Sequence, residues 1–302
     1  MSPREPAPGM GDFLKSWMQY PLPQHTLSRI LHGLARSRHA WMRDHVLPWF
    51  AERYQLDLKE AERSELDDYE SLDDLFTRRL RAGARPVDHE AGLVSPVDGI
   101  ISQLGAIEED AIFQAKARYY GLEDLLQDDP DWRDFTNGRF ATLYLAPHHY
   151  HRVHMPIDGT LTRLMHVPGR LFSVNPATVR GVDRLFARNE RIIARFDTEF
   201  GPMAVVLVGA LLVGSIETVW TGEITPPTRL RARTMALPSA GRERHLQRGA
   251  ELGCFHMGST VIVLTNPDAP NFRPAHAPGT EIRVGQGLTN PPEPRKEGTS
   301  NV

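Results

Sequence analysis

Residues 203–213 carry no polar side chain over 11 positions, and this run restricts the fold more than any other stretch. A helix needs ~20 such residues to cross a bilayer, so the run does not span one. Broken by Gly209 and preceded by Pro202, it reads as adjoining buried strands rather than a helix. The β-branched run Val261-Ile-Val-Leu264 reads the same way. From residue 94 onward further strand signals fall at 97–104, 139–145, 159–166, 191–196, 203–219, 224 and 261–264, closely punctuated by Gly and Pro. Residues 108–114 and 119–127 are expected to be helical between strands. The expected fold class is α+β. It has a mainly antiparallel β core, barrel-like or sandwich-like, and an N-terminal helical, membrane-associating segment.

That N-terminal segment differs in kind from the rest. Leu27, Ile30, Leu31 and Leu34 recur at helical spacing, with Thr26 as the expected N-cap. Trp17, Met18, Trp41, Met42, Trp49 and Phe50 add bulky apolar groups. Between Phe13 and Arg43 stand Lys15, Arg29, Arg36, Arg38 and Arg43, with no acidic residue. An apolar stripe beside cationic charge is how an interfacial helix is built; a helical hairpin packed on its own domain is the competing reading. Residues 57–74 then carry nine acidic and two basic side chains, expected to form a solvated face. They end in Ser71-Leu-Asp-Asp74, a capping-box-like start for a short helix.

Composition sets outer bounds. With 302 residues, 40% hydrophobic content and 24% charge, the chain has the make-up of an ordinary globular protein. A net charge of -3 offers no global attraction to nucleic acid, and none is expected as a partner. The single cysteine, Cys254, excludes an intrachain disulfide and reads as a buried, inert thiol. No apolar signal-peptide core is present at the start of the chain. Three regions are expected: a helical segment at 1–75, a β-rich catalytic domain at 76–288, and a disordered tail at 289–302.

The chemistry centres on Gly253-Cys-Phe-His-Met-Gly-Ser-Thr-Val-Ile-Val-Leu264. Gly258 lacks a Cβ, so its carbonyl lies open to the next side chain, and Ser259 Oγ can attack it if a base removes its proton. Upstream stand Ser95-Pro-Val-Asp-Gly-Ile-Ile-Ser102 and Leu145-Ala-Pro-His-His-Tyr-His-Arg-Val-His-Met-Pro156. Asp98, His154 and Ser259 thus supply an acid, a base and a nucleophile, which geometry rather than chain order must join. His148, His149, His151 and His154 also invite a metal. They alternate faces if extended and have no cysteine cluster beside them, so no metal is expected.

With these segments the chain resembles the phosphatidylserine decarboxylase family of the bacterial membrane-associated type. The similarity extends through Phe76-Thr-Arg-Arg-Leu80, Leu171-Phe-Ser-Val-Asn175, Leu185-Phe-Ala-Arg-Asn-Glu-Arg191, Phe196-Asp-Thr-Glu-Phe-Gly-Pro202 and Gly214-Ser-Ile-Glu-Thr-Val-Trp220. The resemblance implies a proenzyme that cuts itself between Gly258 and Ser259 into a β chain, 1–258, and an α chain, 259–302. Ser259 becomes a covalent pyruvoyl cofactor, which forms a Schiff base with phosphatidylserine and yields phosphatidylethanolamine and carbon dioxide. His154 would activate Ser259 with Asp98 behind it, and His151 would protonate the product carbanion. The resemblance also implies that the cleaved chains stay together as a heterodimer, in a dimer of such heterodimers. Its expected location is peripheral, on the cytoplasmic side of the cell membrane against an anionic surface. Two alternatives stay open: a pyruvoyl-dependent decarboxylase of a soluble amino acid, and a non-catalytic β module with a histidine-lined metal site.

Overall fold

In the computed structural model, which describes residues 19–20, 23–115, 118–127, 129–211, 215–224, 232–238, 241–256 and 258–293, the N-terminal part is helical. It comprises α1 (Gln24–Ala35), a π-helical turn (Met42–Val46), α2 (Leu47–Tyr54) and α3 (Leu72–Phe76). Leu47, Phe50, Tyr69, Leu72, Leu75 and Phe76 form a small core of their own there. Ser71 accepts a hydrogen bond from the Asp74 N–H at 3.2 Å and caps α3 as its sequence foretells. The acidic run is less solvated than expected, because Asp73 and Asp74 bond Arg36 and Arg63.

Two features of α1 depart from expectation. Its N-cap is Pro23, not Thr26. Gln24 explains the earlier start: its amide donates to the Gln19 carbonyl and accepts from the Leu171 N–H, so tertiary anchoring outweighs the capping preference. The buried positions of the helix are Gln24, Ser28 and Ala35, whereas Ile30 and Leu34 are 56% and 48% exposed. The apolar stripe therefore faces outward. Trp17 and Met18 lie outside the described residues.

The strands follow as β1 (Gly99–Ala106), β2 (Ala111–Ala115), β3 (Arg118–Gly121), β4 (Arg139–Leu145), β5 (Arg152–His154), β6 (Gly159–Val167), β7 (Arg191–Thr198) and β8 (Gly201–Val208). Then come β9 (Ile216–Thr218), β10 (Gly222–Ile224), β11 (Arg233–Thr234), β12 (His245–Leu246), β13 (Glu251–Phe255), β14 (Ser259–Thr265) and β15 (Glu281–Ile282). Short helices α4 (Leu122–Leu126), α5 (Pro176–Gly181) and α6 (Leu185–Arg188) interrupt them. Among the described residues the large sheet runs β11-β6-β7-β8-β14-β4-β1-β15 with β12 beside β6, and the small one runs β10-β9-β13-β5. Their ladders are antiparallel.

Among the described residues the path of the large sheet does not return to its first strand, so of the barrel-like and sandwich-like forms expected for the antiparallel core the closed barrel is not formed. Both faces of the sheet are covered instead. Val261, Val263, Leu143, Leu145, Val205 and Leu207 project to one side and meet Val153, Ile216, Leu252 and Phe255 of the small sheet. Ile262, Leu264, Val206 and Val208 project to the other, against Leu122, Leu125, Val179 and Leu185 of the short helices. Burial on two faces is what uninterrupted apolar strands require, and every position of β14 is buried.

The expected helices at 108–114 and 119–127 are corrected. Residues Ala111–Ala115 and Arg118–Gly121 pair antiparallel as β2 and β3, with Ile112 opposite Tyr120 and Phe113 opposite Tyr119. Only 122–126 are helical, as α4. Aromatic and β-branched cross-strand pairs stabilise a hairpin more than a short helix. Of the expected tail, Thr289 is buried and Asn290 donates to the Asn271 carbonyl, while residues 294–302 lie outside the described part. No helix among the described residues is long and apolar enough to cross a membrane.

Candidate active site

Ser259 is the first residue of β14, fully buried, and its Oγ has no hydrogen-bond partner. It pairs with Leu145, the last residue of β4, so the hydroxyl sits where the large sheet ends. A Cβ built on Gly258 would come no closer than 3.9 Å to the Leu145 carbonyl oxygen, which leaves free space around that peptide. An orphaned, dry hydroxyl is costly to keep, and such groups in native structures call for a chemical explanation.

The segment leading to Ser259 is tied to the histidine-rich loop: the Phe255 N–H donates to the His151 carbonyl at 3.0 Å. His151 is fully buried, with its ring against Phe76 at a centroid distance of 3.9 Å. Its Nδ1 lies 2.9 Å from the His149 carbonyl oxygen, and a carbonyl can only accept. Nδ1 therefore carries the proton and the buried, unpartnered Nε2 presents a lone pair. Burial first, and then the Arg78 guanidinium, push its pKa well below the usual 6.5, so the ring is neutral.

His154 follows the same logic. Its Nδ1 donates to the Gly249 carbonyl at 2.8 Å, leaving Nε2 to accept from the Tyr150 hydroxyl at 3.3 Å. Burial lowers its pKa, and the Gly249 carbonyl and nearby carboxylates offset this only in part. Neutral histidines with a lone pair on Nε2 are the form a general base needs.

Asp98 is placed differently from the expected triad. Arg85 Nε lies 2.9 and 3.1 Å from its two oxygens, and the Val284 N–H donates to it at 2.9 Å. Its neighbourhood with His154 runs through backbone, since the His154 N–H donates to the Pro96 carbonyl at 2.8 Å. Asp98, His154 and Ser259 thus share one end of the structure, but their side chains make no hydrogen bonds to one another. Asp98 faces a cavity of about 360 Å³ that Arg78, Arg85, His149, Tyr150 and Gln286 also line. Within it, burial and the neighbouring His148 lower the pKa of His149 to about 4, and His149 Nδ1 accepts from the Ala146 N–H.

Sequence reasoning missed Arg85, Tyr150 and His256. Arg85 and Tyr150 act through side chains that no periodicity marks. His256 stands inside the stretch that drew attention to Ser259, two residues before Gly258. Cys254 is buried as expected, and burial pushes its thiol up to about 12. Among the described residues no group of three or more His, Cys, Asp or Glu is arranged to hold a metal ion.

Comparison with known proteins defines the class as a carboxy-lyase. A family model described as phosphatidylserine decarboxylase matches residues 72–290, and a second, described as PSD, matches residues 14–55. The chain belongs to the phosphatidylserine decarboxylase family. It is 51% identical over 276 residues to a phosphatidylserine decarboxylase proenzyme of Pseudomonas paraeruginosa (strain PA7), covering 90% of this chain and 95% of the relative. Proenzymes of the same name from Pseudomonas fluorescens (strain Pf-5) and Pseudomonas putida (strain KT2440) are 50% and 49% identical. These alignments cover 89% and 90% of this chain and 94% and 96% of the relatives.

Proposed function

We propose that the chain is a self-processing phosphatidylserine decarboxylase whose Ser259 attacks the Gly258 carbonyl. The observation that carries this is the Ser259 hydroxyl, buried and without a partner directly after a glycine peptide. Attack passes the acyl group from nitrogen to oxygen, and loss of the Ser259 α-proton then breaks the ester. This leaves 1–258 ending in a carboxylate and 259–302 beginning with a dehydroalanine, which tautomerises to an imine and is hydrolysed by water to a ketoacyl group, releasing ammonia. His154 Nε2, released from the Tyr150 hydroxyl, takes the hydroxyl proton. Asp98 stabilises the resulting imidazolium through space.

The residues present fit a pyruvoyl group at position 259: a buried, unpartnered hydroxyl to form it and a glycine with open space before it. That group supplies an electron sink for loss of carbon dioxide from an amino-acid headgroup. His151, held by the His149 carbonyl and by Phe76, takes up on its free Nε2 a proton given up by the substrate ammonium and passes it to the product carbon in place of the carboxylate. Burial of His151 and Ser259 excludes water, which strengthens each of these interactions.

The outward apolar face supports docking on an anionic lipid surface. Ile30, Leu34, Trp41 and Trp49 are each about half exposed, and Arg29, Arg38 and Arg43 are exposed among them. This placement favours a phospholipid substrate over a soluble amino acid and a peripheral position on a membrane surface; the cytoplasmic side is what the family resemblance implies. The processed chains are expected to remain a heterodimer, because β14 and β15 pair with strands of the other chain.

Denaturing electrophoresis and mass spectrometry test the proposal. Wild type should separate into two pieces, the smaller blocked by an α-keto group, and Ser259→Ala should stay full length. A Ser259→Ala chain that still splits at 258/259 refutes the nucleophile assignment. Carbon dioxide release from phosphatidylserine vesicles but not from free serine identifies the substrate class.

A further inference from the structure

Two residues before Gly258, the His256 side chain is held from both ends. Its Nδ1 lies 2.9 Å from Asp73 Oδ1 on α3, and its Nε2 lies 3.2 Å from Glu217 Oε2 on β9. Carboxylate oxygens only accept, so a ring that satisfies both must carry a proton on each nitrogen. Arg36 Nη2 also approaches Nδ1, at 3.3 Å. That nitrogen cannot accept from it while donating to the nearer Asp73. Arg36 instead bonds Asp73 at 3.1 Å and Glu223 at 2.7 Å, and Glu223 is 3.3 Å from His32. The charged and titratable groups around the ring are therefore Asp73, Glu217, Glu223, Arg36 and His32. The His256 backbone is fixed as well, its N–H donating to the Ser215 carbonyl at 3.1 Å.

We propose that His256 is a positioning residue for self-processing, an imidazolium clamp between Asp73 and Glu217 that sets the conformation of the segment entering the Gly258–Ser259 bond. The proposal rests on the self-cleaving reading of that bond and adds its regulation. The helical layer thereby becomes part of the processing apparatus: α3 contributes Asp73, and Arg36, which caps α1, braces it. None of these groups hydrogen-bonds Ser259; they act by fixing His256, two residues ahead of Gly258. The pKa of His256 is raised above 6.5 by Asp73 and Glu223 despite burial, whereas that of His154 is lowered. Processing then needs His154 neutral and His256 charged, so its rate should pass through a maximum and fall as pH rises past the His256 value.

The full-length chain, made by cell-free synthesis with a radiolabel pulse, lets splitting be timed on gels across a pH series. His256→Gln is expected to slow splitting about tenfold near neutrality, the effect of losing about one charge-assisted hydrogen bond, and to abolish the alkaline decline. Asp73→Asn should slow it similarly. His256→Lys keeps a cation of high pKa, so it should restore most of the rate and hold it to higher pH. Thermal unfolding of each substitution on Ser259→Ala verifies folding, and Asp73→Asn and His256→Lys carry the test should His256→Gln fail to fold. Splitting of His256→Gln at the wild-type rate with an unchanged pH profile overturns the proposal, as does a His256→Lys chain as slow as His256→Gln. A wild-type chain that never splits refutes the self-cleaving reading itself, a result distinct from either.

Discussion

Removing the Arg85 guanidinium should destabilise the fold more than neutralising the aspartate it holds. The two side chains are 11% and 8% exposed, and Arg85 also reaches Glu60 at 2.8 Å. These carboxylates raise the Arg85 pKa despite its burial. In Arg85→Met, Asp98 keeps the Val284 N–H but loses its cation. A buried charge stripped of its partner costs ~3–5 kcal/mol, and the surviving N–H offsets ~1 kcal/mol of that. In Asp98→Asn the arginine still pairs with Glu60 and the amide retains an acceptor oxygen, so the cost is ~1–2 kcal/mol. The difference of ~2 kcal/mol corresponds to a melting temperature about 3 °C lower for Arg85→Met in a chain of 302 residues. Circular dichroism melts of both variants on Ser259→Ala measure it without interference from processing. An Asp98→Asn loss equal to or larger than that of Arg85→Met would sink the argument, since it would show that another partner of Asp98 outweighs Arg85.

Further outcomes follow from other positions. In Gly253→Ala the new Cβ would stand 2.2 Å from the Glu217 carbonyl oxygen, prying β9 from β13; a loss of about 3 kcal/mol or more is expected in chemical denaturation. Trp41→Ser with Trp49→Ser should lower flotation with phosphatidylserine-containing vesicles ~10-fold, as loss of large apolar groups from a lipid contact implies, while changing stability by less than ~0.5 kcal/mol. Unchanged flotation would reject the docking face. Because burial favours the neutral ring of His149, whose pKa falls from 6.5 to about 4, the unfolded chain binds more protons across that interval. Stability should therefore decline as pH drops from 6.5 towards 4, and less steeply in His149→Gln; identical slopes would exclude this histidine as a cause.

The β core was legible because its strands are buried on two faces and so carry unbroken apolar runs. Residues 139–145 were expected as a strand and Arg139–Leu145 is one; the cap at Ser71 was equally plain. The β2–β3 hairpin was not, since Ile112, Phe113, Tyr119 and Tyr120 fit a helix nearly as well until their pairing is seen. Periodicity located the stripe on α1 but cannot tell which side faces inward. That is decided by Gln24, which bonds a loop 147 residues away. The same limit applies to the site. Ser259 and Gly258 stand out through local chemistry, whereas His151 was singled out by the family resemblance. The bond between Asp98 and Arg85 crosses a loop, and His256 meets Asp73 across 183 positions, distances over which no local pattern carries information.

Ser259 heads a strand bonded along its length to β4 and, from Thr260 onward, to β8, while β15 lies against β1. Severing the backbone just ahead of that strand would leave its ladders intact, so the smaller fragment stays threaded through the larger. The consequence is a one-way assembly. The uncut polypeptide folds with both pieces already tethered, but once cut and unfolded they must meet by diffusion, and recovery becomes concentration-dependent. A mature molecule of this kind persists through slow unfolding rather than through any ability to be remade.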